Sequence, residues 1–224
     1  MATIDASFFV PRPLVAIVAL GDSGEALLLR AILENLGAAV ALHLPGVPAD
    51  VIACLAQGSV APAHLIVSGH GDENGLVLGE FGPGIDTSDL VDGSLPPAAL
   101  HGRVDLPGTI VVSTACETGS PVFADAFLSG GAACYVAPGG YPEGAAVPLF
   151  VHLLYHEVLR RGSSVDSAVR RAQSVFAPNE ALFALFAGDR SAEEGELACR
   201  LLGPGGVEVG ARRDRREEGI QFRL

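Results

Sequence analysis

The chain has 224 residues, of which 49% are hydrophobic and only 18% charged, so it is no disordered polymer and can bury a full core. A net charge of −12 speaks against a nucleic-acid partner, because phosphate binding needs a positive face. No apolar stretch reaches the roughly 20 residues of a membrane span, and the first residues lack the charged and apolar regions of a signal peptide. The four cysteines (Cys54, Cys116, Cys134 and Cys199) have no paired spacing, which predicts reduced thiols and a cytoplasmic protein; the lack of a spanning stretch predicts no membrane partner. Lysine is absent, and arginine supplies every basic side chain.

In chain order, residues 13–20 form an apolar, β-branched run that predicts a buried strand, followed by the turn Gly21-Asp22-Ser23-Gly24. A helix is expected over 25–36, with Leu27, Leu28, Ala31, Ile32 and Leu36 on its apolar side and Gly37 closing it. Residues 38–44 predict a second strand, 49–56 a short helix, and 64–68 a third strand ending in Ser68-Gly69-His70-Gly71. Gly, Pro and Asp dominate 72–108, with a small hairpin expected near 75–81. A fourth strand over 109–115 ends in Cys116-Glu117-Thr118-Gly119. Beyond it, the pattern predicts a helix over 122–129 and a strand over 132–137. Paired helices over 145–161 and 165–176 follow, Ser164 or Asp166 starting the second, and then a strand over 182–187. Residues 1–211 are read as a single domain and 212–224 as a charged C-terminal tail.

Strands that alternate with helices predict an α/β sandwich: a mostly parallel sheet with helices on both faces. In such sheets ligands collect beyond the carboxyl ends of the strands. Those ends carry Asp22, His70, Cys116 and the Gly139–Glu143 loop. If the third and fourth strands are neighbours about 4.8 Å apart, His70 and Cys116 share one substrate carbonyl. A free thiol has a pKa of about 8.5 and is mostly protonated at neutral pH, so Cys116 as nucleophile needs a base, and His70 is the candidate. The backbone N–H groups of Gly71 and Cys116 are candidates for the oxyanion hole, and Gly71 lets a substrate approach the main chain. The histidine precedes the cysteine by a full crossover, unlike the usual order of flavodoxin-like thiol hydrolases. His152 and His156 are spaced for one helix face but lack a third metal ligand, and Gly21-Asp22-Ser23-Gly24 lacks the lysine of a phosphate loop; no metal and no cofactor are expected.

These residues resemble the caspase-like cysteine peptidases and, among them, the bacterial CHAT-domain family. The likeness rests on Gly69-His70-Gly71 and on Ser113-Thr114-Ala115-Cys116-Glu117-Thr118-Gly119, each after an apolar strand; the string Ala115–Gly119 matches the family's cysteine motif. It extends through the helix-then-strand segment 123–137 and the paired helices 147–173. The helical repeats of typical members are not visible, and Gly139-Gly140-Tyr141-Pro142-Glu143 replaces a loop that often holds tryptophan and aspartates.

The resemblance implies a caspase-like three-layer sandwich and a cysteine endopeptidase working through a His70–Cys116 dyad and a thioester acyl-enzyme. Its substrate is a protein or peptide, and a partner protein carrying regulatory repeats is implied. The same resemblance lines the pocket before the scissile bond with Asp22 and Thr114, so that a carboxylate there favours a basic residue; Tyr141 and Glu143 line further subsites. Asp22 as a helix cap is the competing reading. The alternatives to a peptidase are a catalytically silent CHAT-like binding or scaffold module in a larger bacterial assembly, and a small-molecule thiol hydrolase.

Overall fold

The computed structural model of the chain describes residues 12–21, 23–176 and 182–188. The expected tail and Cys199 lie outside these residues, as does Asp22. Among the described residues, a six-stranded sheet runs in the order β2-β1-β3-β7-β8-β9. Its strands are β1 (Leu14–Ala19), β2 (Ala39–His43), β3 (His64–Ser68), β7 (Ile110–Ser113), β8 (Cys134–Pro138) and β9 (Phe183–Ala187). The first five are parallel, while β9 pairs with β8 in the antiparallel sense. A three-stranded sheet of β4 (Gly71–Asp72), β5 (Gly75–Val77) and β6 (Ser94–Leu95) occupies the turn-rich segment, where the sequence suggested only a hairpin.

Helices cover both faces. On one side α1 (Gly24–Asn35), α5 (Ala146–Tyr155) and α6 (Val165–Gln173) enclose a core that includes Leu29, Leu33, Ile66, Val112 and Phe150. On the other, α2 (Pro48–Leu55), the short α3 (Pro97–Leu100) and α4 (Pro121–Ser129) enclose Val18, Leu55, Val67, Val111 and Phe127. The strands therefore read as continuous apolar runs, because alternate residues serve two different cores. Ser164 caps α6 as expected, its hydroxyl accepting the Ser167 N–H at 3.4 Å. Ser120 caps α4 in the same way, one residue after the motif that carries Cys116.

The expected face of α1 holds in its second half, where Leu36 is buried and Ile32 packs against the core, and shifts in its first half. Ala26, Leu29 and Leu33 are fully buried, whereas Leu27 and Leu28 are about half exposed at 51% and 50%. Three consecutive leucines satisfy either of two helical stripes, and the stripe that packs on the sheet is the one Ala26, Leu29 and Leu33 share at helical spacing. The helix expected to reach Arg161 likewise changes its winding, with a π segment over His156–Arg160. There Glu157 turns inward, accepts from Ser163 Oγ at 2.9 Å, and pairs with Arg161 at 2.9 Å and Arg171 at 3.0 Å, clasping α5 to α6.

At the sheet's opposite end from Cys116, His64 is 1% exposed and makes an edge-on ring contact with Tyr155 at 5.6 Å. Among the described residues, its Nδ1 and the Tyr155 hydroxyl have no hydrogen-bond partner. Burial lowers the His64 pKa from 6.5 to about 4, so the folded protein binds fewer protons than the unfolded chain between those values. The stability contributed is present above pH 6.5 and is lost as pH falls toward 4. Urea melts across this window should show a loss of about 3 kcal/mol, and His64→Leu should flatten that slope.

Candidate active site

The parallel register fixes the relation of the two reactive side chains. Val67 pairs with Ser113 at the end of β3 and β7, and His70 and Cys116 each lie three residues further on. The Thr114 N–H donates to the Val67 carbonyl at 2.9 Å, extending the pairing into the turns. Beyond that point the chains are held by close packing: a Cβ on Gly71 would stand 3.1 Å from both the amide nitrogen and the carbonyl carbon of Cys116, and nearer still to its carbonyl oxygen. Any side chain there would push the two turns apart. Gly69 is constrained as well, since a Cβ would meet Leu20 Cβ at 2.9 Å. The His70 carbonyl accepts the Val77 N–H at 3.0 Å, so β5 ties down the histidine's backbone; its side chain is exposed.

Each residue of the cysteine motif has a structural task. Ala115 is fully buried, and Glu117 adopts a left-handed conformation at φ 60° that reverses the chain directly after the cysteine. The Thr118 hydroxyl donates to the Ala115 carbonyl at 2.7 Å and meets Ser113 Oγ at 2.9 Å, while Ser113 Oγ also accepts the Ala115 N–H at 3.2 Å. Below the turn, the fully buried Tyr135 stacks on Phe127 and donates its hydroxyl to the Thr118 carbonyl at 3.1 Å. Gly119 packs against the end of β8, where a Cβ would lie 2.6 Å from the Pro138 carbonyl. The cysteine turn is thus fixed from inside by hydroxyls and from outside by backbone.

A carboxylate that sequence reasoning passed over stands at this edge. Glu25, in the first turn of α1, accepts from Ser68 Oγ at 2.7 Å and from Thr114 Oγ1 at 2.5 Å. Its sequence signal was its place one turn after the first strand; the signal was obscured because an acidic residue in a first helical turn is common for dipole reasons alone. Thr114, expected to line a pocket, is buried and holds this carboxylate. The residue assigned to the cap position of α1 is Ser23, without a side-chain cap bond.

Burial raises the Cys116 thiol pKa first of all, its own backbone N–H opposes that, and the charges of Glu117 and Glu25 add to the rise. Tyr141 is exposed, and its hydroxyl pKa is raised by desolvation and then by the charges of Glu117, Glu73, Asp72 and Cys116. Glu143 is exposed at the entry to α5, and its carbonyl accepts the Ala146 N–H at 2.8 Å; no contact joins it to Cys116. Cys54 sits half-buried on α2 and Cys134 is buried in β8, both away from the site. Among the described residues no group of three or more His, Cys, Asp or Glu side chains could hold a metal, His152 and His156 included, and no helix is long and apolar enough to cross a membrane.

No protein-family model and no curated protein sequence matches the chain. Among solved structures, the Arg-specific cysteine proteinase gingipain R superposes with a TM-score of 0.51 at 13% identity, over 80% of this chain and 46% of that one. The complex of the pro- and mature domains of RgpB from Porphyromonas gingivalis gives a TM-score of 0.51 at 12% identity, over 79% and 47%. A Saccharomyces cerevisiae separase–securin complex reaches 0.49 at 11% identity, over 80% of this chain and 12% of that one. The chain spans about half the length of the gingipain chains it matches. Its fold is that of the caspase-like cysteine peptidases.

The rate of Cys116 alkylation by iodoacetamide should rise with pH along a curve whose midpoint lies above that of a free thiol. Glu117→Gln should shift the midpoint down, because a charge that opposes the thiolate is gone. Tyr135→Phe should cost about 1–3 kcal/mol in a urea melt, since the buried Thr118 carbonyl loses its donor.

Proposed function

We propose that the protein is a caspase-like cysteine endopeptidase of the CHAT type that cleaves after arginine or lysine through a His70–Cys116 dyad. The observation that carries the reading is the equal offset of His70 and Cys116 past a paired Val67 and Ser113, with Gly71 packed directly on the Cys116 backbone. Two turns so matched support a reading in which an imidazole, a thiol and adjacent backbone N–H groups act on one carbonyl.

In the proposed reaction the Cys116 thiol gives its proton to His70, and Sγ bonds to the carbonyl carbon. The oxyanion is met by the N–H groups of Gly71 and Cys116, each such donor contributing about 3 kcal/mol. On collapse the C–N bond breaks, and His70 returns the proton to the departing amine, leaving a thioester. Water then adds to the thioester with its proton taken by His70, and the C–S bond breaks to release the acid and restore the thiol.

Preference for a basic residue follows from charge. Glu25, poised by Ser68 and Thr114, is the carboxylate proposed to receive the guanidinium or ammonium, with Asp22 as its sequence neighbour. Asp72, Glu73 and Glu117 around Tyr141 extend the negative field toward solvent, and Tyr141 and Glu143 are proposed outer subsite residues. The raised thiol pKa favours a second reading, a silent binding module that retains the fold without turnover.

An acyloxymethyl-ketone peptide ending in arginine should label Cys116, and His70→Ala should lower peptide turnover by about 10²- to 10⁴-fold. Glu25→Gln should reduce cleavage of arginine peptides by about 10- to 100-fold while leaving the fold intact by circular dichroism. Hydrolysis of simple thioesters with no peptide cleaved would instead identify a small-molecule hydrolase, and a folded protein inert to all of these probes would be the silent module. Turnover of acidic-site peptides in place of basic ones would remove the Glu25 assignment.

A further inference from the structure

On the side of His70 away from Cys116 lies a half-open cleft whose side chains are apolar and whose remaining surface is polar backbone. Leu20 beyond β1, Pro45 and Val47 beyond β2, Val51 of α2, and Leu78 and Phe81 beyond β5 form its walls. Its volume of about 140 Å³ suits one branched or aromatic side chain, since a cavity of roughly 150 Å³ holds a benzene ring. The described lining carries no charged side chain, whereas Glu117 directly follows Cys116 in the chain.

The cleft is joined to the histidine. Val77 donates its N–H to the His70 carbonyl at 3.0 Å, and the next residue, Leu78, is a cleft wall whose own N–H is held by the Gly93 carbonyl at 2.9 Å. Across the strand order β2-β1-β3-β7, the cleft stands beyond the ends of β2 and β1, His70 beyond β3 and Cys116 beyond β7. A polypeptide crossing this edge meets Cys116, then His70, then the cleft.

We infer that this cleft is a subsite for an apolar side chain of the substrate on the leaving-amine side of the scissile bond. The assignment rests on the peptidase reading, which fixes the polarity: the acyl half stays on Cys116 while the amine departs past His70, the group that protonates it. Two to two-and-a-half strand spacings separate the cleft from β7, roughly 10–12 Å. An extended peptide advances about 3.3 Å per residue, so the occupant is the third residue after the cleaved bond. Leucine, methionine or phenylalanine there would fill the cleft, whereas alanine would leave it open and aspartate would enter uncompensated.

The test uses the full chain and two kinds of probe. One is an arginine coumarin amide, which has no residues on the leaving side; the other is a set of internally quenched peptides, alike except for Leu, Ala or Asp at the third position after arginine. The expected result is a kcat/KM for Leu about 10- to 100-fold above that for Ala, with Asp lowest. Val47→Asp and Phe81→Ser, on different walls of the cleft, should each compress the Leu-to-Ala ratio to within about threefold. Read as a ratio within one protein preparation, this measurement is independent of the fraction folded. Cleavage of the coumarin amide with equal rates for Leu and Ala would overturn the subsite and leave the peptidase standing. A ratio unaltered in both variants would likewise overturn it, placing the preference elsewhere. No cleavage of any probe would overturn the peptidase reading and the subsite with it.

Discussion

Backbone packed on backbone at Gly71 and Cys116 governs the arrangement of the whole sheet edge. β3 and β7 are locked in register by their ladder, but the ladder stops at Val67 and Ser113. The side chains of interest come three residues later, where hydrogen bonds of the sheet no longer dictate position. A glycine with no room for a Cβ closes that gap by contact. Around it, the Tyr135, Thr118 and Ser113 hydroxyls fix the cysteine turn from the core, and Val77 fixes the histidine from the small sheet. Because the same turns carry Cys116 and His70, the cores on both faces of the sheet contribute to their separation.

Charge around the cysteine disfavours its thiolate. Glu25 and Glu117 both disfavour a thiolate, and burial does so more strongly. On the proposed peptidase reading the same carboxylates would attract a cationic side chain and repel the thiolate. Glu25 keeps its place through two hydroxyl donors, neither of which brings positive charge of its own. A neutral clamp holds the carboxylate without cancelling its net charge.

The sheet, the alternation of strands and helices, and the two turns bearing His70 and Cys116 were legible because buried parallel strands leave continuous apolar runs that end abruptly in small residues. The antiparallel sense of β9 was not, since Phe183–Ala187 has the same composition whichever way it runs. Three leucines in a row concealed the true face of α1, where burial follows Ala26, Leu29 and Leu33. Glu25 was missed for a different reason: its partners Ser68 and Thr114 are 43 and 89 residues away, and long-range hydroxyl contacts leave no local pattern. Inward-facing Glu157 escaped notice because only a change of helical winding turns it toward Arg171.

The reversal of β9 also decides where polypeptide can be added. Phe183 opposite Pro138 enters the sheet on the same edge as the cysteine turn, while Ala187 opposite Cys134 leaves on the far edge. Extra sequence spliced ahead of Phe183 would therefore emerge beside the turns bearing His70 and Cys116, and a domain fused directly after Ala187 would start from the other end of the sheet.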